Sequence, residues 1–190
     1  MTLKKYRYLD VTIMTVLAIV VDVVSYLVTS YMLKQNFENV YIAPSIVVII
    51  FIYVRWGKIG VISNFLMLMI QFILYRNQIF STTWFAIAFS VGYLSLASTL
   101  IWNRKQKNNI LRSNLKTLIL YYFVPYSIMV ISEIGISYVL GFKGTATSFI
   151  IRHIINFILC LVIVVIAKVQ KNFMVDMYGY LEKLQKEKDE

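Results

Sequence analysis

The chain has 190 residues, of which 59% are hydrophobic and only 15% charged, with a mean hydropathy of +0.72 and a formal net charge of +10. A soluble domain carries roughly 45–50% apolar and about 25% charged residues, so this composition excludes an ordinary globular protein and indicates an integral membrane protein. The single cysteine, Cys160, excludes a disulfide framework, and the positive charge is typical of membrane-flanking segments, so we expect no nucleic-acid partner.

Six apolar segments follow one another along the chain. A helix needs roughly 17–25 apolar residues to cross a bilayer. The predicted spans are residues 10–33, 40–55, 58–75, 83–102, 115–140 and 148–168. Polar and turn-forming residues separate them. The sequence therefore predicts an all-α integral membrane protein with six transmembrane helices in one domain, residues 1–171.

The distribution of Lys and Arg predicts the orientation. With the N-terminus in the cytoplasm, fifteen of these residues fall in inside segments and three in outside loops: Lys34, Arg76 and Lys143. Cytoplasmic loops carry the excess of Lys and Arg, so both termini are predicted to be cytoplasmic. Aromatic residues at the predicted span edges favour the headgroup level: Tyr6, Tyr8, Trp56, Tyr75, Trp84 and Trp102.

The C-terminal tail, residues 172–190, has a different pattern. Phe173, Met177, Leu181 and Leu184 recur at spacings of three and four, with Lys, Glu and Asp between them. This periodicity predicts a cytoplasmic amphipathic helix. Such a helix lies on the membrane surface or docks on a cytoplasmic partner.

Four strongly ionisable side chains lie inside the apolar runs: Asp22, Glu133, Arg152 and His153. Such a charge at the bilayer centre costs about 2.5–3.5 kcal/mol, and it usually marks a functional site. Counted along the helices at 1.5 Å per residue, Arg152 lies roughly 6 Å and Glu133 roughly 10 Å below the outer membrane edge. These two residues are therefore predicted to pair or to face one cavity, whereas Asp22 lies near mid-membrane.

Polar side chains of the last two spans are aligned on helix faces. Arg152 and Asn156 are one turn apart, and Tyr126, Glu133 and Ser137 share a face of the preceding helix. This clustering predicts a substrate pocket open to the outside. The candidate substrate-binding residues are Arg152, His153, Asn156, Glu133, Tyr126, Trp84 and Ser137. The alternative is purely structural, namely an ion pair and an interhelical hydrogen bond.

His153 is the only histidine, and no second histidine or nearby cysteine completes a metal site. Haem needs only one or two axial ligands, so His153 as a haem ligand stays open as an alternative. The common catalytic and nucleotide-binding motifs do not occur in the sequence, and we expect neither an enzyme nor a bound cofactor.

Two stretches are similar to a known family. Residues 39–75, NVYIAPSIVVIIFIYVRWGKIGVISNFLMLMIQFILY, resemble the second and third helices of the substrate-binding S components of energy-coupling factor transporters. The end of the chain, IAKVQKNFMVDMYGYLEKLQKE, resembles the close of one branch of this family. The matching residues there are Ile166, Ala167, Gln170, Asp176, Tyr180, Leu181, Leu184 and Gln185.

The resemblance implies a transport function in the bacterial cytoplasmic membrane. An S component captures a vitamin-like micronutrient outside, then docks on a membrane coupling subunit bound to two cytoplasmic ATPase subunits. Family members often carry alanines four apart on the docking face of the first helix, where this chain has Ala18 and Asp22. Either this docking face is built differently, or Asp22 points into the pocket. A haem-binding S component and a stand-alone small carrier or channel are the alternative functions.

Overall fold

The computed structural model describes residues 3–33, 40–101, 115–143 and 145–167, together with residues 177, 179–181 and 183–184. The regular structure of these residues is entirely helical, which confirms the predicted all-α class. The α-helices are α1 Leu3–Leu33, α2 Ser45–Trp56, α3 Gly60–Leu74, α4 Arg76–Ile79, α5 Thr83–Leu94, α6 Leu115–Val139 and α7 Ala146–Ala167. Short 3-10 turns follow α2, at Gly57–Ile59, and α5, at Ser95–Ser98.

Five helical stretches are long and apolar enough to cross a membrane: Lys4–Met32, Ser45–Leu74, Thr83–Ile101, Leu115–Val139 and Ala146–Ala167. Two predicted starts were wrong. Helix α1 begins at Leu3 rather than at residue 10, because hydropathy marks the apolar part of a helix and not its first hydrogen bond. Helix α2 begins at Ser45 rather than at residue 40, because Pro44 disfavours helical geometry in the residue before it.

The stretch Ser45–Leu74 turns back on itself at Gly57. The Gly57 φ of +62° lies in the left-handed region that favours glycine. Beyond the turn, Asn64 Nδ2 donates to the Tyr53 hydroxyl over 3.0 Å, so α3 runs back along α2 as an antiparallel hairpin. Helix α2 has 12 residues, a length of about 18 Å, against a hydrocarbon thickness of about 30 Å. By its length alone, α2 is therefore too short to cross the hydrocarbon core as a separate span.

Helix α1 packs along the hairpin through polar contacts at two levels. At one end, Asp10 forms an ion pair with Arg55 Nη2 at 3.0 Å. Twelve residues further along α1, the Asp22 carboxylate accepts a hydrogen bond from the Ser45 backbone N–H over 2.9 Å. Since Arg55 ends α2 and Ser45 begins it, α1 and α2 are antiparallel.

Helices α5, α6 and α7 continue this alternation. Gly92 of α5 lies beside Glu133 of α6, and at the end of the same pair the rings of Trp84 and Phe142 are 5.2 Å apart. The α6 residue Tyr122 donates to the Phe157 carbonyl of α7 over 3.0 Å. Neighbouring helices in this half of the bundle are therefore antiparallel.

Residues 40–44, predicted as the start of a span, form a buried non-helical segment that crosses against α7. The Tyr41 N–H donates to the Arg152 carbonyl over 3.3 Å. The Ala43 N–H donates to Asn156 Oδ1 over 2.8 Å. Backbone groups that would be orphaned in hydrocarbon are thus satisfied by α7.

The outside of the bundle is apolar. On α1, the exposed side chains recur at spacings of three and four: Leu9, Ile13, Val16, Val20, Val24, Leu27 and Tyr31. Polar α1 residues such as Thr15 and Asp22 are buried. Apolar residues outside and polar residues inside are the arrangement expected of a helix in lipid.

Most of the predicted amphipathic tail, with Phe173, lies outside the described residues, as does Trp102. The tail residues that are described are helical. Met177 and Leu181 pack against the hydrophobic core, whereas Tyr180 and Leu184 are exposed. Leu184 therefore does not share the burial of Met177 and Leu181, with which it was grouped, and the amphipathic helix stays a prediction.

Replacing Gly60 with alanine is expected to loosen the hairpin. A Cβ at this position would lie 2.7 Å from Tyr53 Cδ1, and the Tyr53 ring is held in place by its hydrogen bond with Asn64. We expect a loss of about 1–3 kcal/mol, the usual cost of overpacking. The measurement is unfolding in mixed micelles of rising SDS content.

Gly135→Ala on α6 is the matched control, because no heavy atom lies within 4 Å of the added methyl group. Alanine is the better helix former by about 1 kcal/mol, so this variant should be neutral or stabilised. An equal loss in both variants would contradict the close approach of α3 to Tyr53.

Candidate functional site

The centre of the site is a buried carboxylate with two partners. Glu133 of α6 is 0% exposed. Its Oε1 lies 3.2 Å from Arg152 Nη1 and its Oε2 lies 3.1 Å from His153 Nε2, both on α7. The contact between Glu133 and Arg152 expected from their depths is therefore confirmed. A buried carboxylate without such partners would be costly to keep ionised.

Hydrogen bonds continue from His153 to the segment 40–44. The Tyr126 hydroxyl lies 3.3 Å from His153 Nδ1 and accepts from Asn156 Nδ2 over 3.0 Å. Asn156 Oδ1 in turn accepts from the Ala43 N–H. We call Glu133, Arg152, His153, Tyr126 and Asn156 the polar network. Its hydrogen bonds join α6 to α7, and α7 to the segment 40–44.

Aromatic rings surround the Arg152 guanidinium. Its Cζ lies 4.6 Å from the Phe85 ring centroid, 5.3 Å from that of Tyr41 and 5.9 Å from that of Phe89. Cation–π attraction of this kind is worth about 0.5–2 kcal/mol, more where water is excluded. Arg152 is 9% exposed, and its Nη2 has no hydrogen-bond partner among the described residues. One donor of a buried cation thus remains unsatisfied.

A cavity of about 620 Å³ lies at the end of the bundle where α4 and the start of α5 meet the loop between α6 and α7. Its lining includes four large aromatic side chains, Trp84, Phe85, Phe142 and Phe149, and the guanidinium-bearing Arg152. The other lining residues are Asn77, Gln78, Ser81, Ser148 and Ile151. Mostly aromatic walls with a few polar groups are typical of small-molecule sites.

The seven predicted binding residues divide into two groups. Arg152 and Trp84 line the cavity. Glu133, His153, Asn156, Tyr126 and Ser137 do not: the first four belong to the polar network, and the Ser137 hydroxyl donates to the Glu133 carbonyl over 2.7 Å. Arg152 is the one member of the polar network that lines the cavity. The other four members do not line it.

The sequence pattern does not predict most of the cavity wall. Phe85 and Phe149 fall within predicted apolar spans, and Asn77 and Gln78 fall within the separator between two spans. Residues 76–79 instead form the short helix α4, which carries both amides to the cavity. The sequence feature that indicates polar groups at this position is RNQ, residues 76–78, which follows an apolar run at the predicted outer edge.

A second hollow of about 290 Å³ lies between α6 and α7 on the outside of the bundle. Tyr126 and His153 reach it, but its other walls are mainly isoleucines and valine. Ile131, one of these, is 67% exposed. This hollow therefore has the character of a lipid-facing groove and not of a polar pocket.

The predicted docking residues of α1 face the interior. Ala18 and Asp22 are both 0% exposed. Asp22 accepts hydrogen bonds from the Ser45 N–H and from Gln71 Nε2, and it lines neither of the two hollows described above. Neither side chain offers surface to a partner in this conformation, and Asp22 instead ties α1 to both arms of the hairpin.

Both ring nitrogens of His153 are already engaged, one with Glu133 and one with Tyr126. Axial ligation of haem iron would require one of these contacts to break. Within the described ranges, no three His, Cys, Asp or Glu side chains are grouped closely enough to hold a metal ion.

Two buried tyrosines fix the segment 40–44 from its other side. The Tyr75 hydroxyl donates to the Ile42 carbonyl over 2.7 Å, and the rings of Tyr75 and Tyr41 are 5.1 Å apart. A phenol is neutral at physiological pH. Neutral phenols in these positions hold the segment by packing and hydrogen bonding.

The groups that line the cavity offer recognition of a small molecule: aromatic faces, amides, hydroxyls and one guanidinium. No protein-family model, curated protein or solved structure matches this chain. The function proposed next therefore depends on the sequence pattern and on the geometry of the cavity and polar network.

Proposed function

We propose that the chain is the substrate-binding subunit of an energy-coupling factor importer, which captures a vitamin-like micronutrient and delivers it to a shared ATP-driven coupling module. The observation that carries this proposal is the cavity of about 620 Å³ at one end of an apolar helical bundle. Pockets for small organic ligands measure about 300–1,000 Å³ and are mainly aromatic or aliphatic.

The proposed topology has six membrane crossings with both termini in the cytoplasm. The antiparallel contacts of α1 with α2 and of α6 with α7 support an up-and-down bundle. The excess of Lys and Arg in the sequence segments predicted to lie inside supports the cytoplasmic placement of the termini. In this orientation the cavity faces the extracellular side, and α2 and α3 cross as a hairpin of two short helices.

A carrier that needs a partner suits the cavity better than an open channel does. Arg152 lines the cavity and is paired with the buried Glu133. Release to the opposite side requires movement of packed helices, and this chain has no nucleotide-binding motif to drive it. The proposed coupling module would supply that energy.

The partner surface on α1 is proposed to be its exposed apolar face. Since Ala18 and Asp22 are buried, the residues available for contact are outward-facing ones such as Ile13, Leu17 and Val20. In a bilayer this face meets lipid, and a membrane subunit can replace that lipid without exposing polar groups.

Co-purification tests the assembly. The tagged chain, extracted from its native membrane in mild detergent, is expected to bring down a membrane subunit and two ATPase subunits in a stoichiometric complex. The same chain alone in liposomes is expected to show no substrate uptake. Uptake by the isolated chain would favour the stand-alone carrier and contradict the proposal.

Trp84→Ala is expected to reduce the retention of small molecules by the purified protein at least several-fold. The indole lines the cavity, and its ring centroid lies 5.2 Å from that of Phe142, which also lines it. An aromatic pair contributes about 0.5–1.5 kcal/mol beyond the area that it buries. Mass spectrometry of the extracted small molecules gives the amount retained per protein.

Phe65→Ala is the matched control, because Phe65 is an exposed aromatic residue on α3 that does not line the cavity. It should retain the wild-type amount. Equal retention by Trp84→Ala and the wild type would show that the cavity is not the capture site.

A further inference from the structure

The charge of the cavity wall is already balanced before any ligand enters. Among the residues that the structure describes, Arg152 is the one charged side chain that lines the cavity, and its Nη1 lies 3.2 Å from Glu133 Oε1. His153 also contacts this carboxylate, with Nε2 3.1 Å from Glu133 Oε2, and its Nδ1 lies 3.3 Å from the Tyr126 hydroxyl. The Arg152 guanidinium therefore already has a carboxylate counter-ion within ion-pair distance.

An anion in this cavity would disturb that balance. The negative Glu133 lies directly behind the guanidinium, so an anionic ligand meets repulsion from the carboxylate along with attraction to Arg152. Arg76, the first residue of α4, and Lys143, after α6, lie near residues of the cavity wall in the chain, but both are exposed and neither lines the cavity. Solvent and salt screen such exposed charges.

The remaining polar groups of the wall are uncharged. Asn77 and Gln78 contribute side-chain amides, and Ser81 and Ser148 contribute hydroxyls. Amides and hydroxyls both donate and accept hydrogen bonds, so they match a ligand edge that carries carbonyl and N–H groups. Arg152 Nη2, buried and without a partner among the described residues, needs an acceptor but not an additional charge.

The apolar part of the wall favours a flat ring. Phe85 lines the cavity, and its ring centroid also lies 4.6 Å from Arg152 Cζ. A planar ligand stacked against Phe85 therefore lies beside Arg152. Phe149, whose ring centroid lies 6.3 Å from that of Phe85, and Phe142, 5.1 Å from Phe149, extend this aromatic surface.

We infer that the cavity binds an uncharged planar ring compound bearing a carbonyl acceptor, and that it discriminates against the corresponding anion. This inference rests on the proposed capture function and specifies its substrate class. The stacking surface recognises the ring, the amides and hydroxyls recognise its polar edge, and Arg152 supplies a hydrogen bond without a net charge.

Matched pairs of ring compounds test the inference. Nicotinamide is compared with nicotinate, and uracil with orotate, because each pair shares a ring and differs by a carboxylate. Binding to the purified full chain in detergent at neutral pH is measured by isothermal titration calorimetry. In at least one pair, we expect the neutral member to bind about ten times more tightly than the anion.

Glu133→Gln sharpens the test, since it removes the counter-charge of Arg152 while keeping the shape of the side chain. The preference should shift towards nicotinate or orotate in this variant. Asp22→Asn is the control: it also removes a buried carboxylate, but one that does not contact Arg152, so the preference should not change. If Glu133→Gln fails to fold, the wild-type comparison still decides.

Tighter or equal binding of the anions by the wild type would overturn the inference, and so would the absence of binding by all four compounds up to their solubility limits. Failure of the proposed function is separate, since it appears as the absence of ATPase subunits on co-purification. Anion preference in a chain that still assembles with those subunits would overturn only the substrate class.

Discussion

Replacing Glu133 with alanine is expected to destabilise the folded protein by about 3–5 kcal/mol, the usual effect of breaking a buried ion pair from one side. The variant leaves Arg152 with an uncompensated charge in a position that is only 9% exposed. It also removes the partner of His153 Nε2. Unfolding in mixed micelles of rising SDS content, followed by circular dichroism, measures the loss.

The reverse truncation should cost less. In Arg152→Ala, the Glu133 carboxylate keeps its contact with His153 Nε2. Because Arg152 lines the cavity, its loss should reduce ligand retention more than stability. Equal effects of Arg152→Ala on both properties would favour a purely structural ion pair. A Glu133→Ala variant as stable as the wild type would contradict the buried pair itself.

Asp22→Ala is the second large effect expected, with a loss of about 3 kcal/mol. The carboxylate accepts the Ser45 N–H at the first turn of α2 and the side-chain amide of Gln71 on α3. Each buried donor left without a partner costs about 1–3 kcal/mol. The same SDS unfolding assay reports the change.

Two variants separate these contributions. Asp22→Asn keeps an acceptor oxygen and should lose less than the alanine variant. Thr15→Ala removes another polar contact of α1, the 2.8 Å bond with Ser63. The serine hydroxyl can then bond to its own helix backbone, so the loss should be small. If Thr15→Ala lost as much stability as Asp22→Ala, the contacts of Asp22 would matter no more to the packing of α1 on the hairpin than the bond between Thr15 and Ser63.

Asp22 and Glu133 are both buried and both join neighbouring helices, at different places in the bundle. Asp22 joins α1 to both arms of the hairpin, and Glu133 joins α6 to two residues of α7. Only the second lies next to the cavity. Intramembrane charge by itself therefore does not identify the binding site, although it identifies the residues on which the packing depends.

Part of the site could be predicted because it depends on short-range geometry. The rise per residue placed Glu133 and Arg152 at similar depths on helices joined by a short loop, and their contact follows from that arrangement. The polar separator RNQ was also visible. It gave no indication that Asn77 and Gln78 would meet Phe149, which is about 70 residues away in the chain.

The sequence by itself determined the all-α class, the approximate positions of the apolar helices and the similar depth of Glu133 and Arg152, because composition, run length and helical rise are local properties. Only the tertiary structure decided which polar residues reach the cavity, that Ala18 and Asp22 face inwards, and that the chain reverses at Gly57. In an apolar chain the lipid-facing and core-facing sides of a helix are both hydrophobic. The periodicity that reveals a buried face in water is therefore weak, and contacts between distant segments set the rotation of each helix.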